Sequence, residues 1–187
     1  MKKDGKQKIL DAAFLLFSDR GFDAVSIRDI ADQAGLSNPA LYQHFKSKLE
    51  LGEALYLSCY QDQNDELNRR LKPEMSPLEK LDTLIDVAVF LHKRTPSPLL
   101  YLEKMQGQFG LKARETFAEE ALTRRMRHWL LEGQKQKLIR DDVPVSMLAG
   151  LVIGQITMWA IQSDLKLAPK NQAAAHMKRL TRSAISL

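Results

Sequence analysis

The 187-residue chain is long enough for one domain or two small ones, and its 44% hydrophobic and 27% charged residues are ordinary for a globular protein with a real core. The formal charge of +5 permits an anionic partner without identifying one, because residues 1–50 hold eight Lys/Arg against seven Asp/Glu, a net of only 8 − 7 = +1. Cys59 is the only cysteine, which excludes an intrachain disulfide and a cysteine-rich zinc site and fits a reducing cytoplasm.

The N-terminus is charged and lacks the apolar core of a secretory signal. The longest apolar stretch, Met147 to Ile161, is shorter than the ~20 residues of a membrane span, and Gln155 and Thr157 interrupt it. The expectation is a soluble cytoplasmic protein with no membrane partner.

The chain reads as all-α. No run of alternating β-branched residues bounded by turn signals occurs. Ile9, Ala13, Leu16 and Phe17, beside Leu10 and Phe14, give an amphipathic helix over about 4–19, with Gly21 at its C-cap. Ser26 caps a second, short helix, with Asp29 as capping-box partner and Ile27, Ile30, Ala31 and Ala34 facing inward. Gly35 ends it after barely two turns. Ser37 caps a third helix with Pro39 in its first turn, where a missing N–H costs nothing. Leu41 and Phe45 are its inward pair. "SKLE" from Ser47 reads as a further capping box, opening a long fourth helix toward Leu71.

Residues 26–45 are therefore a short helix, a glycine-containing turn and another short helix, the helix-turn-helix pattern. Within "GLSNPALYQHF" (Gly35–Phe45), the inward Leu41 and Phe45 free Asn38, Pro39, Tyr42 and Gln43 to point outward. Small residues at the start of such a helix let its end enter a DNA major groove, where base edges are read. Tyr42 and His44 offer donors to phosphates. Lys48, in the first turn of the fourth helix, is poorly placed for the macrodipole, which suggests a phosphate clamp together with the free N–H groups.

The stretch "SIRDIADQAGLSNPALYQHFKSKLEL" (Ser26–Leu51) closely resembles the DNA-binding signature of the TetR family of bacterial repressors. The resemblance covers about residues 6–55, and Leu49 departs from it where members often carry an acidic residue. It implies an all-α fold of about nine helices, with a three-helix DNA-binding domain at 1–50 and a ligand-binding and dimerisation domain at 51–187. It implies base contacts from Arg28, Asn38, Pro39 and Ala40, and phosphate contacts from Ser26, Tyr42, His44 and Lys48. Ser37 and Gln43 complete the expected DNA-binding set. Ser26 and Ser37 are equally helix caps, and Arg28 equally a solvated charge. The expected partners are double-stranded DNA carrying a palindromic operator, a second copy of the chain, and a mostly apolar small-molecule effector.

The remainder reads as five further helices, punctuated by "KPEMSP" (Lys72–Pro77), "TPSP" (Thr95–Pro98), "GQFG" (Gly107–Gly110), "RDDVP" (Arg140–Pro144) and "LAPK" (Leu167–Lys170). Segment 77–94 carries Leu81, Leu84, Ile85, Ala88, Leu91 and His92 on one face. Segment 99–109 reads as a short helix and 112–138 as a long one, with Leu122, Met126, Trp129 and Leu130. The effector pocket that the resemblance implies would draw on Phe90, Tyr101, Met105, Phe109, Met126, Trp129 and Trp159, or these are ordinary core residues.

Met147, Leu151, Gly154, Met158 and Ile161 repeat at spacings 4-3-4-3, beside a second stripe of Leu148, Val152, Gln155 and Trp159. A helix apolar on two faces must bury both. Gly150 and Gly154 would permit close helix approach. Ala173, Met177, Leu180, Ala184 and Leu187 repeat the pattern in the last helix. Two such helices from each chain make a four-helix bundle across a two-fold axis, unless both merely complete a monomeric core.

His44, His92, His128 and His176 show no metal-ligand spacing, and there is no glycine-rich phosphate loop or GxSxG elbow. No catalytic residue, metal or cofactor is expected. The leading reading is a ligand-responsive DNA-binding repressor. The alternative is a DNA-bound protein-interaction factor, such as one controlling cell division.

Overall fold

Ser26 shows how local chemistry builds the first part of the molecule. Its hydroxyl accepts from the Asp29 amide at 3.1 Å, and Asp29 accepts from the Ser26 amide at 2.8 Å, so the capping box is complete. The computed structural model describes residues 4–94, 97–168 and 171–187, with the Glu119 side chain excepted. Thr95 and Pro96 of "TPSP", and Pro169 and Lys170 of "LAPK", lie outside the described residues.

Nine α-helices occur among the described residues: α1 (Gly5–Arg20), α2 (Ile27–Ala34), α3 (Asn38–Tyr42), α4 (Lys48–Arg70), α5 (Pro77–His92), α6 (Pro98–Phe117), α7 (Leu122–Lys135), α8 (Val145–Asp164) and α9 (Ala173–Ile185). A single 3-10 turn, Ala118–Glu120, joins α6 to α7. Arg140 donates its amide to the Ile185 carbonyl at 2.8 Å, which ties the loop after α7 to the end of α9. The all-α expectation holds.

The first three helices form a small head. Ile9, Ala13, Ile30 and Leu41 are fully buried, and Phe17 and Phe45 nearly so, as their spacing predicts. α1 packs on α2 and α4. α4 leaves the head and continues into a larger body, where it lies against α5 and α6. There α5 touches α6, α7, α8 and α9.

α6 joins head to body a second time. Tyr101 donates its hydroxyl to the Gly52 carbonyl at 3.2 Å and stacks on Phe17, with ring centroids 6.3 Å apart. Phe109 meets Phe22 edge-on at 6.1 Å. Both rings close over Gly52, where a Cβ would fall 2.6 Å from Phe22 and 3.2 Å from Phe109. Only glycine lets α4 approach this closely.

Four sequence expectations are corrected. "GQFG" does not break the chain, and the segment from 99 is not short: Gly107 and Gly110 lie inside the 20-residue α6. Two glycines cost about 1 kcal/mol each relative to alanine, and burial of Tyr101, Leu102, Met105, Phe109 and Ala113 outweighs this. The long helix expected over 112–138 is interrupted at Ala118, whose φ of 40° no local glycine or proline announces. At Ser47 only half a capping box forms. Its hydroxyl accepts from the Glu50 amide at 3.1 Å, but the Glu50 carboxylate reaches the Lys46 amide at 2.7 Å. Finally, α8 extends beyond the apolar stretch to 20 residues at a mean hydropathy of 1.5, enough by length and composition to cross a membrane. In the fold it packs on α5, α6, α7 and α9.

Candidate functional site: a nucleic-acid interface and a cavity behind it

The α2–α3 turn is set by Gly35, whose φ of 67° and ψ of 36° place it in the left-handed region that glycine tolerates. Its amide donates to the Asp32 carbonyl at 3.1 Å, and the Leu36 amide to Ala31 at 2.9 Å. Leu36 tucks against the core. Ser37 then accepts from the Ala40 amide at 3.3 Å, and α3 begins with Pro39 in its first turn.

This arrangement turns Asn38, Pro39, Tyr42, Gln43 and His44 outward, while Ala40 is half-buried and Leu41 fully buried. Tyr42 is 52% exposed, although it is a large ring. Arg28 is exposed on α2, with only a 4.0 Å contact to the Asp32 carboxylate. The His44 ring lies over the start of α1: a Cβ at Gly5 would sit 3.0 Å from its Nε2. The expected outward residues are thus exposed on α2 and α3 and just after α3, where they can present hydrogen-bond donors and a weakly paired guanidinium to a groove.

Besides Ser37, which caps α3, Ser26 and Lys48 of the expected set are engaged within the protein. The Ser26 hydroxyl donates to Asp29 Oδ2 at 2.6 Å as well as accepting from the Asp29 amide. Those Ser26 hydrogen bonds hold the Asp29 carboxyl below the usual carboxylate range. Lys48 is the larger departure. Its Nζ donates to the carbonyls of Phe22, Asp23 and Val25 at 3.0, 3.3 and 3.0 Å, and lies 4.7 Å from the Phe22 ring centre. The ammonium expected to face a phosphate instead satisfies three carbonyls of the α1–α2 connection, all its donors being used there. The macrodipole cost of a lysine at this place is explained by that brace.

Behind the head, a cavity of about 260 Å³ opens between α4, α5, α6, α7 and α8. Tyr56, Tyr60 and Gln63 reach it from α4, Leu84 and Ala88 from α5, Leu102, Gln106 and Arg114 from α6, Met126 from α7, and Ile153 and Ile156 from α8. Of the seven aromatic and methionine candidates, only Met126 lines it. Tyr101 and Phe109 are buried at the head–body junction. Met105 and Trp129 are buried in the core, and the Arg125 guanidinium lies 5.4 Å from the Trp129 ring. Phe90 is 46% exposed beneath the Arg70 guanidinium. Trp159 meets His92 edge-on at 4.7 Å. Counting large residues could not separate these roles. The 4-3 spacing of Tyr56, Tyr60 and Gln63 on one face of α4 was the available signal.

The cavity's tyrosines are neutral: burial raises the Tyr56 and Tyr60 phenols above the ordinary range. Cys59, on the same helix, is buried, and burial pushes its thiol up to about 12, which leaves it unreactive.

On α8, the stripe of Met147, Gly150, Leu151, Gly154, Met158 and Ile161 is exposed, with nothing near either glycine. The inward side is Leu148, Val152, Ile156 and Ala160. α9 divides differently from its expected stripe. Leu180 is 61% exposed, but Met177 is buried in its own core, and Ala173 and Ala184 pack half-buried against that core. The true inward line of α9 is Met177, Thr181 and Ile185, a 4-4 spacing that drifts away from the 4-3 pattern.

The family model for bacterial regulatory proteins of the tetR family matches residues 9–55, the head and the start of α4. The chain is 30% identical to the HTH-type transcriptional repressor KstR2 of Mycolicibacterium smegmatis over 148 residues, covering 76% of this chain and 71% of that protein. It is 26% identical to the nucleoid occlusion factor SlmA of Vibrio atlanticus, covering 96% of this chain and 95% of that one. Among solved structures, a TetR family transcription regulator from Marinobacter aquaeolei VT8 superposes with a TM-score of 0.81 at 18% identity, over 97% of this chain and 95% of that one. With the helix-turn-helix head, its exposed α3 and these likenesses together, the chain belongs to the tetR family of bacterial regulatory proteins and is a DNA-binding transcriptional regulator.

Proposed function

We propose that this regulator is a cytoplasmic repressor that binds a palindromic operator as a homodimer, and that a mostly apolar effector in the α4–α8 cavity controls its affinity. The observation that carries the reading is the free end of α3: Asn38, Pro39 and Tyr42 stand exposed on a helix held in place by the buried Leu41 and Phe45. Arg28 and Asn38 read bases, and Tyr42, Gln43 and His44 hold the backbone. Pro39 and Ala40 allow close approach. Residues 1–50 form the reading domain and 51–187 the effector and dimerisation domain.

A second copy of the chain is the proposed occupant of the exposed α8 face. Proteins of this family dimerise. The face is contiguous and apolar, and Gly150 and Gly154 leave room for another helix. Leu180 extends it onto α9, which packs beside α8. A two-fold pair places two α3 helices on half-sites about one helical turn, ~34–36 Å, apart. The likeness to the KstR2 repressor supports repression as the output. The near full-length likeness to the SlmA nucleoid occlusion factor supports the alternative of a DNA-bound protein-interaction factor.

A gel shift of the full chain against the upstream region of its own gene tests the reading, with operator-driven reporter output measured alongside. Repression predicts specific binding and reporter output that rises on removal of the protein. Specific binding elsewhere on the chromosome, with unchanged reporter output, would replace repression by the interaction-factor reading.

A further inference from the structure

Gln63 is 6% exposed, lines the α4–α8 cavity and has no hydrogen-bond partner among the described residues. Its amide carries two donors and an acceptor. An amide without a protein partner that faces a cavity is open to a group that arrives from outside the chain. One turn back on α4, Tyr60 accepts the Leu122 amide at 2.8 Å, and its own phenolic proton has no acceptor among the described residues. One further turn back, Tyr56 spends its proton on Gln106 Oε1 at 2.5 Å. Tyr60 and Gln63, three residues apart, therefore present an open hydroxyl and an open amide side by side.

Much of the remaining lining is hydrocarbon, with Leu84, Ala88, Leu102, Met126 and Ile156 among it, and Thr123 and Thr157 add two hydroxyls. The ionisable acid and base among the lining residues, Glu103 and Arg114, are exposed on α6. They stand eleven positions apart on α6, and their opposite charges act against one another at Tyr56. An ion taken into such a chamber would lose its hydration and find no counter-charge beyond the exposed Glu103 and Arg114. At about 260 Å³ the space is just below the range of about 300–1,000 Å³ for drug-sized sites.

We propose that Gln63 and Tyr60 are the polar anchor of this cavity and that it selects an uncharged, mainly hydrocarbon molecule bearing a hydroxyl or carbonyl group. The carbonyl or hydroxyl oxygen accepts from the Tyr60 phenol and the Gln63 Nε2, and a hydroxyl proton is taken by Gln63 Oε1. The inference rests on the effector reading above and names the chemistry of the ligand.

Calorimetric titration of the full chain with five ten-carbon or ten-carbon-tailed probes tests it: n-decanol, methyl octyl ketone, n-butylbenzene, decanoate and decyltrimethylammonium. The alcohol and ketone are expected to bind about five- to tenfold more tightly than n-butylbenzene and than either ion. Gln63→Met, which keeps the length of the side chain and removes the amide, should erase that preference while leaving n-butylbenzene affinity unchanged. Because the amide makes no hydrogen bond to the described residues, the melting temperature of this variant should not fall. Tyr60→Phe should reduce the same preference. Tighter binding of either ion, survival of the preference in Gln63→Met, or no binding by any probe would overturn the proposal. Operator affinity measured with methyl octyl ketone separates the two claims. Gln63-dependent binding that leaves operator affinity unchanged supports the anchor and sinks the effector reading; an operator response without the Gln63-dependent preference does the reverse.

Discussion

The head and the body are both built from helices but under different rules. In the head, each short helix is specified by residues within a few positions of its ends: Ser26 with Asp29, Gly35, then Ser37 with Pro39. In the body, α6 runs through Gly107 and Gly110 and stops at Ala118, where no local signal stands. Helices of five or eight residues have little buried area, so caps worth about 1 kcal/mol each decide their limits. A 20-residue helix buries enough side chains to override its own glycines. The head is thus a locally determined reading device, whereas the body takes its shape from packing and keeps a cavity and an exposed face.

The comparison breaks most visibly if the body's exposed face is destroyed. Joint replacement of Leu151 and Leu180 by Glu should give a folded monomer by sedimentation, because both side chains are exposed in the single chain. Operator affinity should fall about 100- to 10,000-fold, since the two heads no longer act as one. A dimer that survived both charges would place the interface elsewhere.

Within the head, effects should be smaller and separable by kind. Asn38→Ala or Arg28→Ala should cost about 1–3 kcal/mol and relax preference at particular base pairs of a randomised operator. An unchanged preference profile for Asn38→Ala would remove Asn38 from the readers. Tyr42→Phe should weaken binding on all sequences alike, because a phosphate contact carries no code.

Lys48 sharpens the comparison, because it joins α4 to the head from inside. Lys48→Met removes the ammonium from three carbonyls, of which that of Phe22 keeps a backbone donor, the Val25 amide, and should lower unfolding stability by about 1–2 kcal/mol. The salt dependence of DNA binding should keep its slope. A slope reduced by about one unit would show that the ammonium leaves the brace for a phosphate in the complex.

The smallest effect belongs to His92, at the end of α5. Burial holds its imidazole below the ordinary range, although Asp164, 3.4 Å from Nε2, opposes this in part. Neutral in the fold, it gains a proton on unfolding, so the unfolded state binds more protons between the lowered value and the usual ~6.5. Stability from this residue is therefore present above that window and lost as pH falls through it. Urea midpoints at about pH 7 and about pH 5.5 should differ less in His92→Gln than in the native chain.

The sequence was most informative where a residue answers to its neighbours in the chain. The capping box at Ser26, the turn at Gly35 and the inward pair Leu41 and Phe45 all follow from spacing, and with them the exposure of Asn38 and Tyr42. The exposed stripe of α8 followed from its 4-3 repeat, but α9 did not, because Thr181 and Ile185 carry its inward line in place of Leu180 and Ala184. Lys48 and Tyr101 donate to carbonyls 23–49 positions away in the chain, beyond the reach of any local pattern. Apart from the spacing of Tyr56, Tyr60 and Gln63, the cavity was illegible for the same reason. It is a space left between five helices, and large apolar residues such as Phe109 and Trp129 fill gaps as readily as they line them.

The central claim is that two copies of this chain read DNA through paired α3 helices. Selection of bound duplexes from a random library by the full-length protein, followed by sequencing, tests it most directly. The account predicts an enriched inverted repeat whose half-sites lie about one helical turn apart, and loss of that enrichment in Leu151→Glu/Leu180→Glu. Enrichment of a single unpaired half-site by native protein, or no enrichment at all, would contradict it.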